Sequence, residues 1–209
     1  MEAVIEVYET PYDPGVPVIC MDEQPVQRVK DTRTPIPATK THPKRIDFEY
    51  ERAGVASLFL FCEPLAGWRS VSVRERHTKV DWAREVAALL TGRYAKVGQI
   101  VLVCDHLATH TAGAFYEAFD PAIARAFVKR IRFVQTPKHG SWLNVAECEL
   151  AAMTKQCVRG RRFGSIAELQ RETAAWQKTI NTKQRLVDWQ FTVANARIKL
   201  KSLYPKLIT

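Results

Sequence analysis

No apolar run in the 209-residue sequence approaches the roughly 18–20 residues needed to cross a bilayer, so a membrane-spanning helix is not expected. The first residues, MEAVIEVYETPYDPG, carry no basic stretch and no long apolar segment, which argues against a secretory signal. Cysteine is sparse: five residues, an odd number, with no CxxC pair, so neither a disulfide framework nor a structural zinc site is indicated. Cys20, Cys62 and Cys104 sit within apolar runs, and Cys148 and Cys157 fall in a helical pattern. All five read as buried thiols. There is no internal repeat and no low-complexity tract. These absences leave a cytoplasmic globular chain.

Charge is the first informative presence. The net charge of +9 comes entirely from residues 150–209, which hold 12 Lys/Arg against 3 Asp/Glu, while residues 1–149 hold 19 of each. A basic segment that also carries Trp176, Trp189 and Tyr204 suits a surface lying along a polyanion, or equally a solvated helical face.

Hydrophobic patterning gives the element order. Val16–Met21 reads as a strand ending at Asp22. The stretch from Arg28 to Arg45, with prolines 35, 37 and 43, reads as an exposed loop or loose hairpin. Ser57–Cys62 and Trp68–Val73 read as two strands joined by a turn. Thr78 and Asp81 form a capping box opening a helix to about Leu90. Gln99–Cys104 is the most apolar strand and ends at Asp105; residues 112–129 are helical with a break near Asp120-Pro121; Ile131–Gln135 is a short strand. A helix starts near Leu143 or Asn144, and a second capping box, Ser165 to Glu168, opens an amphipathic helix with Ile166, Leu169, Thr173, Trp176 and Ile180 on one face. The order implies an α/β fold with a mixed sheet.

Asp22 and Asp105 each follow an apolar strand directly. Carboxylates held at the ends of neighbouring strands can share divalent cations, although strand-terminal Asp often merely starts a turn. In the next helix Leu143, Ala146, Leu150, Met153 and Cys157 form one apolar stripe. Glu147 projects about 80–90° from its centre and Glu149 about 160° from Glu147, so only one of the two can join such a site. Spacing alone does not choose.

The stretches MDEQP (21–25), CDHLATH (104–110) and above all TPKHGSWLNVAE (136–147) resemble DDE transposases of the mariner-type superfamily, in its bacterial insertion-sequence branch. The similarity continues through DFEYERAGVASLFLF (47–61) to DWQFTVANARIKLKSLYP (188–205). The resemblance implies a ribonuclease H-like mixed five-stranded sheet flanked by helices. Residues 1–160 would form the catalytic domain and 161–209 a basic helical C-terminal extension of it. It implies Asp22, Asp105 and Glu147 as the catalytic, metal-binding triad, holding two Mg²⁺ or Mn²⁺ ions. The activity implied is metal-dependent DNA cleavage at transposon ends and strand transfer into target DNA. Lys138, His139, Trp142, Arg159, Arg161 and Arg162 are candidate DNA contacts, Trp142 by base stacking or else as a core anchor. His110 and Asn144 are candidate positioning residues. Ser141 lies in the same loop. His106 stands where the family usually has Asn.

Two departures accompany this. The 41 residues between Asp105 and Glu147 exceed the family's usual interval, and the excess is expected in the helical segment 112–129. The chain also starts almost at the first catalytic strand, so either a separate or frameshift-joined helix-turn-helix product reads the element's ends or the chain is a truncated remnant; a homodimer acting on paired ends at the bacterial nucleoid is expected. The alternatives are a ribonuclease H-like nuclease without strand transfer and a catalytically idle DNA-binding remnant.

Overall fold

In the computed structural model, which describes residues 1–138 and 140–204, one five-stranded sheet organises the chain. The strands are β1 (Val18–Asp31), β2 (Tyr50–Glu63), β3 (Trp68–Arg74), β4 (Ile100–Cys104) and β5 (Ile131–Gln135), arranged β3-β2-β1-β4-β5. β3, β2 and β1 form an antiparallel meander, and β4 and β5 run parallel to β1. Helices supply the crossovers: α2 (Lys79–Thr91) precedes β4, while α3 (Ala112–Ala118) and α4 (Pro121–Val128) lie between β4 and β5. The break between α3 and α4 falls where Pro121, lacking an N–H, can only open a helix.

The sheet separates two cores by strict alternation. Ile19 and Met21, Phe59 and Phe61, and Ile100, Leu102 and Cys104 face α2, α3 and α4. Cys20, Leu58, Leu60, Cys62, Val101 and Val103 face the opposite layer. That layer contains α1 (Glu2–Glu9), α5 (Val145–Met153), α6 (Ile166–Lys183) and α7 (Val193–Lys199). The apolar stripe expected on α5 is buried throughout, from Leu143 to Cys157. On α6, Leu169, Thr173 and Trp176 are buried, with Ile166 and Ile180 packed at the margin.

Three expectations need correction. β1 does not stop at Asp22 but continues nine residues further, to Asp31. Pro25 is tolerated there because β1 pairs with β4 only from Val18 to Cys20, so beyond that point one edge of β1 is free and no N–H is missed. The segment after it is a loose hairpin closed by one antiparallel bridge, Ile36 to Arg45. Cys148 is exposed, not buried; it lies two positions from Ala146, about 200° round the helix from the buried stripe. The amino-terminal helix α1, not anticipated, buries Val4, Ile5, Val7 and Tyr8 against the sheet. Among the described residues no helix is long and apolar enough to cross a membrane.

Candidate active site

The ladder between β1 and β4 ends at Cys20 and Val103, and the two strands then diverge. Ligand clefts in parallel sheets form at such carboxyl ends. Asp22 and Asp105 lie on the two sides of this fork. Asp22 has the alternation of Cys20, and Asp105 that of Val101 and Val103, so both belong to the sheet face covered by α5.

Asn144 joins that helix to the fork. Its Oδ1 accepts from the Ala146 N–H at 3.1 Å, capping α5, while its Nδ2 donates to the Met21 carbonyl at 2.8 Å, one residue before Asp22. It is buried, as a doubly bonded amide should be. Tyr8 of α1 donates to the Leu143 carbonyl at 2.9 Å, and at the far end of α5 the Thr154 hydroxyl donates to Gln24 Oε1 at 3.0 Å. Helix and strand are thus stitched at both ends. Glu147, in the first turn, emerges exposed into a groove with Asp22, Glu23, Gln24, Thr154, Lys155 and Arg159.

The choice between the two glutamates is resolved by a buried ion pair. Glu149 turns into the protein and accepts from Arg69 of β3 at 3.1 and 2.8 Å, with Arg185 at 3.1 Å. Arg69 is fully buried and also donates to the Arg185 carbonyl at 2.6 Å. Burial alone would raise the Glu149 carboxyl, but the Arg69 hydrogen bonds and the two guanidinium charges outweigh it and hold it below its usual range. Glu149 is therefore committed to the fold, and Glu147 alone is free to face the groove.

Electrostatics single out Asp22. Burial pushes its carboxyl up to about 6, against the Glu23 N–H that donates to it at 2.8 Å, and the charges of Asp105 and Glu147 push in the same direction as burial. Asp105 accepts from His110 Nδ1 at 2.5 Å. His110 is fully buried, stacked on Trp82, with its Nε2 3.7 Å from Glu23. That separation is a charge contact and not a hydrogen bond. Burial would lower the imidazole, yet the Asp105 bond and the Glu23 charge raise it to about 9. Among the described residues no three acidic, His or Cys side chains are drawn together as a ready-made metal cage. The carboxylates of Asp22, Asp105 and Glu147 nevertheless offer oxygen donors, and a divalent cation among them would relieve the repulsion that adds to burial in raising Asp22.

The other candidates are distributed unevenly. Lys138 is exposed at the mouth of the loop before α5, and His139 lies outside the described residues. Trp142 is 45% exposed, its ring edge-on to Phe191, so the core-anchor reading is wrong. Its single-turn helix, Ser141–Leu143, buries Leu143 instead. Arg159 lines the groove. Arg161 pairs with Glu172 at 2.7 Å and lies over Phe163. Arg162 is drawn inward, donating to Asp31 Oδ1 and to the Glu49 and Asp47 carbonyls at 2.7–2.9 Å, which pins the base of the β1–β2 hairpin. His106 is exposed beside Asp105. Glu23, Lys155 and the Arg69–Glu149 pair went unnoticed in the sequence. Glu23 carried a signal, since it adjoins Asp22 in the same motif; a pairing 80 residues apart carried none.

The family model for the DDE superfamily endonuclease matches residues 17–170. No curated protein matches the sequence. Among solved structures the chain is similar to a Mos1 strand transfer complex (TM-score 0.55, 12% identity, covering 80% of this chain and 50% of that one). It is also similar to a Mos1 mariner paired end complex with Mn (TM-score 0.55, 13% identity, covering 88% and 57%) and to a Mos1 transposase paired-end complex with the left transposon end (TM-score 0.54, 12% identity, covering 88% and 57%). The chain spans about half the length of the solved chains it matches. At such identities the shared feature is the ribonuclease H-like fold, with its mixed five-stranded sheet flanked by helices.

Proposed function

Because the chain belongs to the DDE superfamily endonuclease family, we propose that it is the catalytic part of a transposase of the bacterial insertion-sequence type. In this reading it cuts DNA at the ends of a mobile element and joins the freed ends to a target. Asp22, Asp105 and Glu147 are its catalytic residues and its metal ligands. The observation that carries the reading is the place of Asp22 at the fork, where it lines one groove with Glu147 and the adjoining one with Asp105. Of the similar structures, one is described as a complex with Mn, and hard oxygen ligands suit Mg²⁺ or Mn²⁺. Two such ions, when bound, would lower the pKa of the attacking water or 3′-hydroxyl and stabilise the leaving oxygen.

The chain's own residues have distinct tasks. Asn144 sets the distance between Glu147 and Asp22 by bonding α5 to the Met21 carbonyl. His110 holds Asp105 in one orientation through Nδ1. Lys155 and Arg159 along the groove, with the exposed Lys138 and Trp142 of the segment before α5, receive the DNA backbone and an unstacked base. Arg161 and Arg162, occupied by acidic and carbonyl partners, contribute less to phosphate binding than to shape. A homodimer on paired ends completes the assembly.

The test is nicking and strand joining of supercoiled plasmid with Mg²⁺ or Mn²⁺, comparing wild type with Asp105→Ala. Both activities are expected to require the metal and to vanish in the variant. Cleavage without joining would make the protein a nuclease, and DNA binding with no activity would make it an idle remnant.

A further inference from the structure

The fork has a second flank, away from Glu147, lined by Glu23, Pro25, Ser57, His77 and Leu107 beside Asp22 and Asp105. Three of the side chains on this flank are carboxylates, which offer only acceptors, so a phosphate crossing here beside the metal ligands needs a hydrogen-bond donor from another residue. His77, in the turn between β3 and α2, is exposed, yet its ring is tethered: its Nδ1 lies 3.0 Å from the hydroxyl of Ser57 on β2. Ser57 is buried, and this is the only hydrogen bond recorded for its hydroxyl among the described residues. Its one proton has no other acceptor among the described residues, which assigns Ser57 as the donor. With Ser57 donating to Nδ1, the neutral ring carries its proton on Nε2, and that N–H is left free for the groove.

We propose that His77 is a DNA contact of the active site, giving its Nε2–H to a backbone phosphate oxygen of the strand that enters between Asp22 and Asp105. This rests on the proposed DNA-processing function and adds to it a contact on the flank opposite Lys155 and Arg159. Ser57 acts through His77 as its positioning residue, fixing tautomer and ring plane. The contact is between a neutral donor and a phosphate. It therefore adds affinity without releasing a counterion, unlike the lysine and arginine contacts.

The test measures binding of a fluorescent duplex oligonucleotide by anisotropy over a range of salt concentrations, in Ca²⁺ in place of Mg²⁺, for wild type, His77→Asn, His77→Gln and Arg159→Ala. Asn keeps a group near Nδ1 but loses the Nε2 donor, whereas Gln retains a donor near Nε2. His77→Asn is expected to weaken binding about tenfold at every salt concentration without changing the salt slope. His77→Gln is expected to recover most of that loss, and Arg159→Ala to lower the slope. Equal binding by wild type and His77→Asn, or a loss that Gln does not recover, overturns the proposal while leaving the triad untouched. Failure of wild type to bind DNA overturns both this contact and the function it rests on; plasmid cleavage that survives Asp105→Ala overturns only the triad.

Discussion

Glu147 and Glu149 sit two positions apart on one helix and meet opposite environments, one in an open groove, the other against two guanidinium groups. Their replacements should separate cleanly. Glu147→Gln is expected to abolish cleavage while changing unfolding free energy by less than about 0.5 kcal/mol, since the side chain is exposed. Glu149→Ala strands the fully buried Arg69 charge and should cost about 3–5 kcal/mol, read by urea denaturation. Replacing both, as Arg69→Met with Glu149→Leu, should restore much of that loss. The pair also sets an acid limit. The Glu149 carboxyl is lowered in the folded protein, so its contribution is present above the ordinary glutamate range and is lost as pH falls through the lowered value. Acid unfolding monitored by far-UV circular dichroism should therefore shift toward neutral pH in Arg69→Met. At this scale the sequence was readable wherever residues were neighbours in a motif. Helix spacing allowed one of the two glutamates at the site and could not say which, because Arg69, which decides it, is a residue of a distant strand.

Between elements, the connection of α5 to β1 depends on one amide. Asn144→Ala removes a helix cap, worth about 1 kcal/mol, and orphans the Met21 carbonyl as well. The expected outcome is a stability loss of about 2 kcal/mol with a fall in cleavage rate at saturating metal and DNA larger than any change in DNA affinity. A rate unchanged beside the lower stability would deny Asn144 its positioning role. Arg162 works at the other end of β1. Arg162→Ala releases Asp31 and the carbonyls of Asp47 and Glu49, and should speed proteolytic nicking within residues 32–48 while the sheet still melts cooperatively. Strands and helices with a clear period were legible from their residues, β5 to its exact ends. β1 was cut short in the reading because its apolar run stops at Met21, and only the pairing with β2 reveals that the polar residues beyond continue the strand. Helix α1 was missed because it is only eight residues long and no side-chain cap marks its start; Val4, Ile5, Val7 and Tyr8 declare themselves only against the sheet they cover.

Over the whole molecule, charge is lopsided. The excess of +9 lies after residue 149, and part of it is already taken up by pairs with the rest of the chain, such as Arg162 with Asp31 and Arg197 with Glu2. The remainder should make DNA binding steeply salt-dependent: about four phosphate contacts predict an affinity loss on the order of a hundredfold between about 50 and about 200 mM salt. A nearly flat salt response would remove the basic segment from the binding surface. The division of charge was visible in the sequence, but not its occupancy, since partners such as Glu2 and Arg197 lie 195 positions apart.

β1 is also a mechanical member. It runs with β2 as a two-stranded ribbon, backed by β3 as far as the Pro25–Ser57 pair and continuing alone to Asp31 and Tyr50, with a shift of register between Gln27 and Val29. Asp22 lies inside the backed part, and the register shift lies outside it. A load on the hairpin, from a DNA strand or another protein chain, is therefore taken up first at that shift, which works as a joint that lets the arm swing while the carboxylate stays in place.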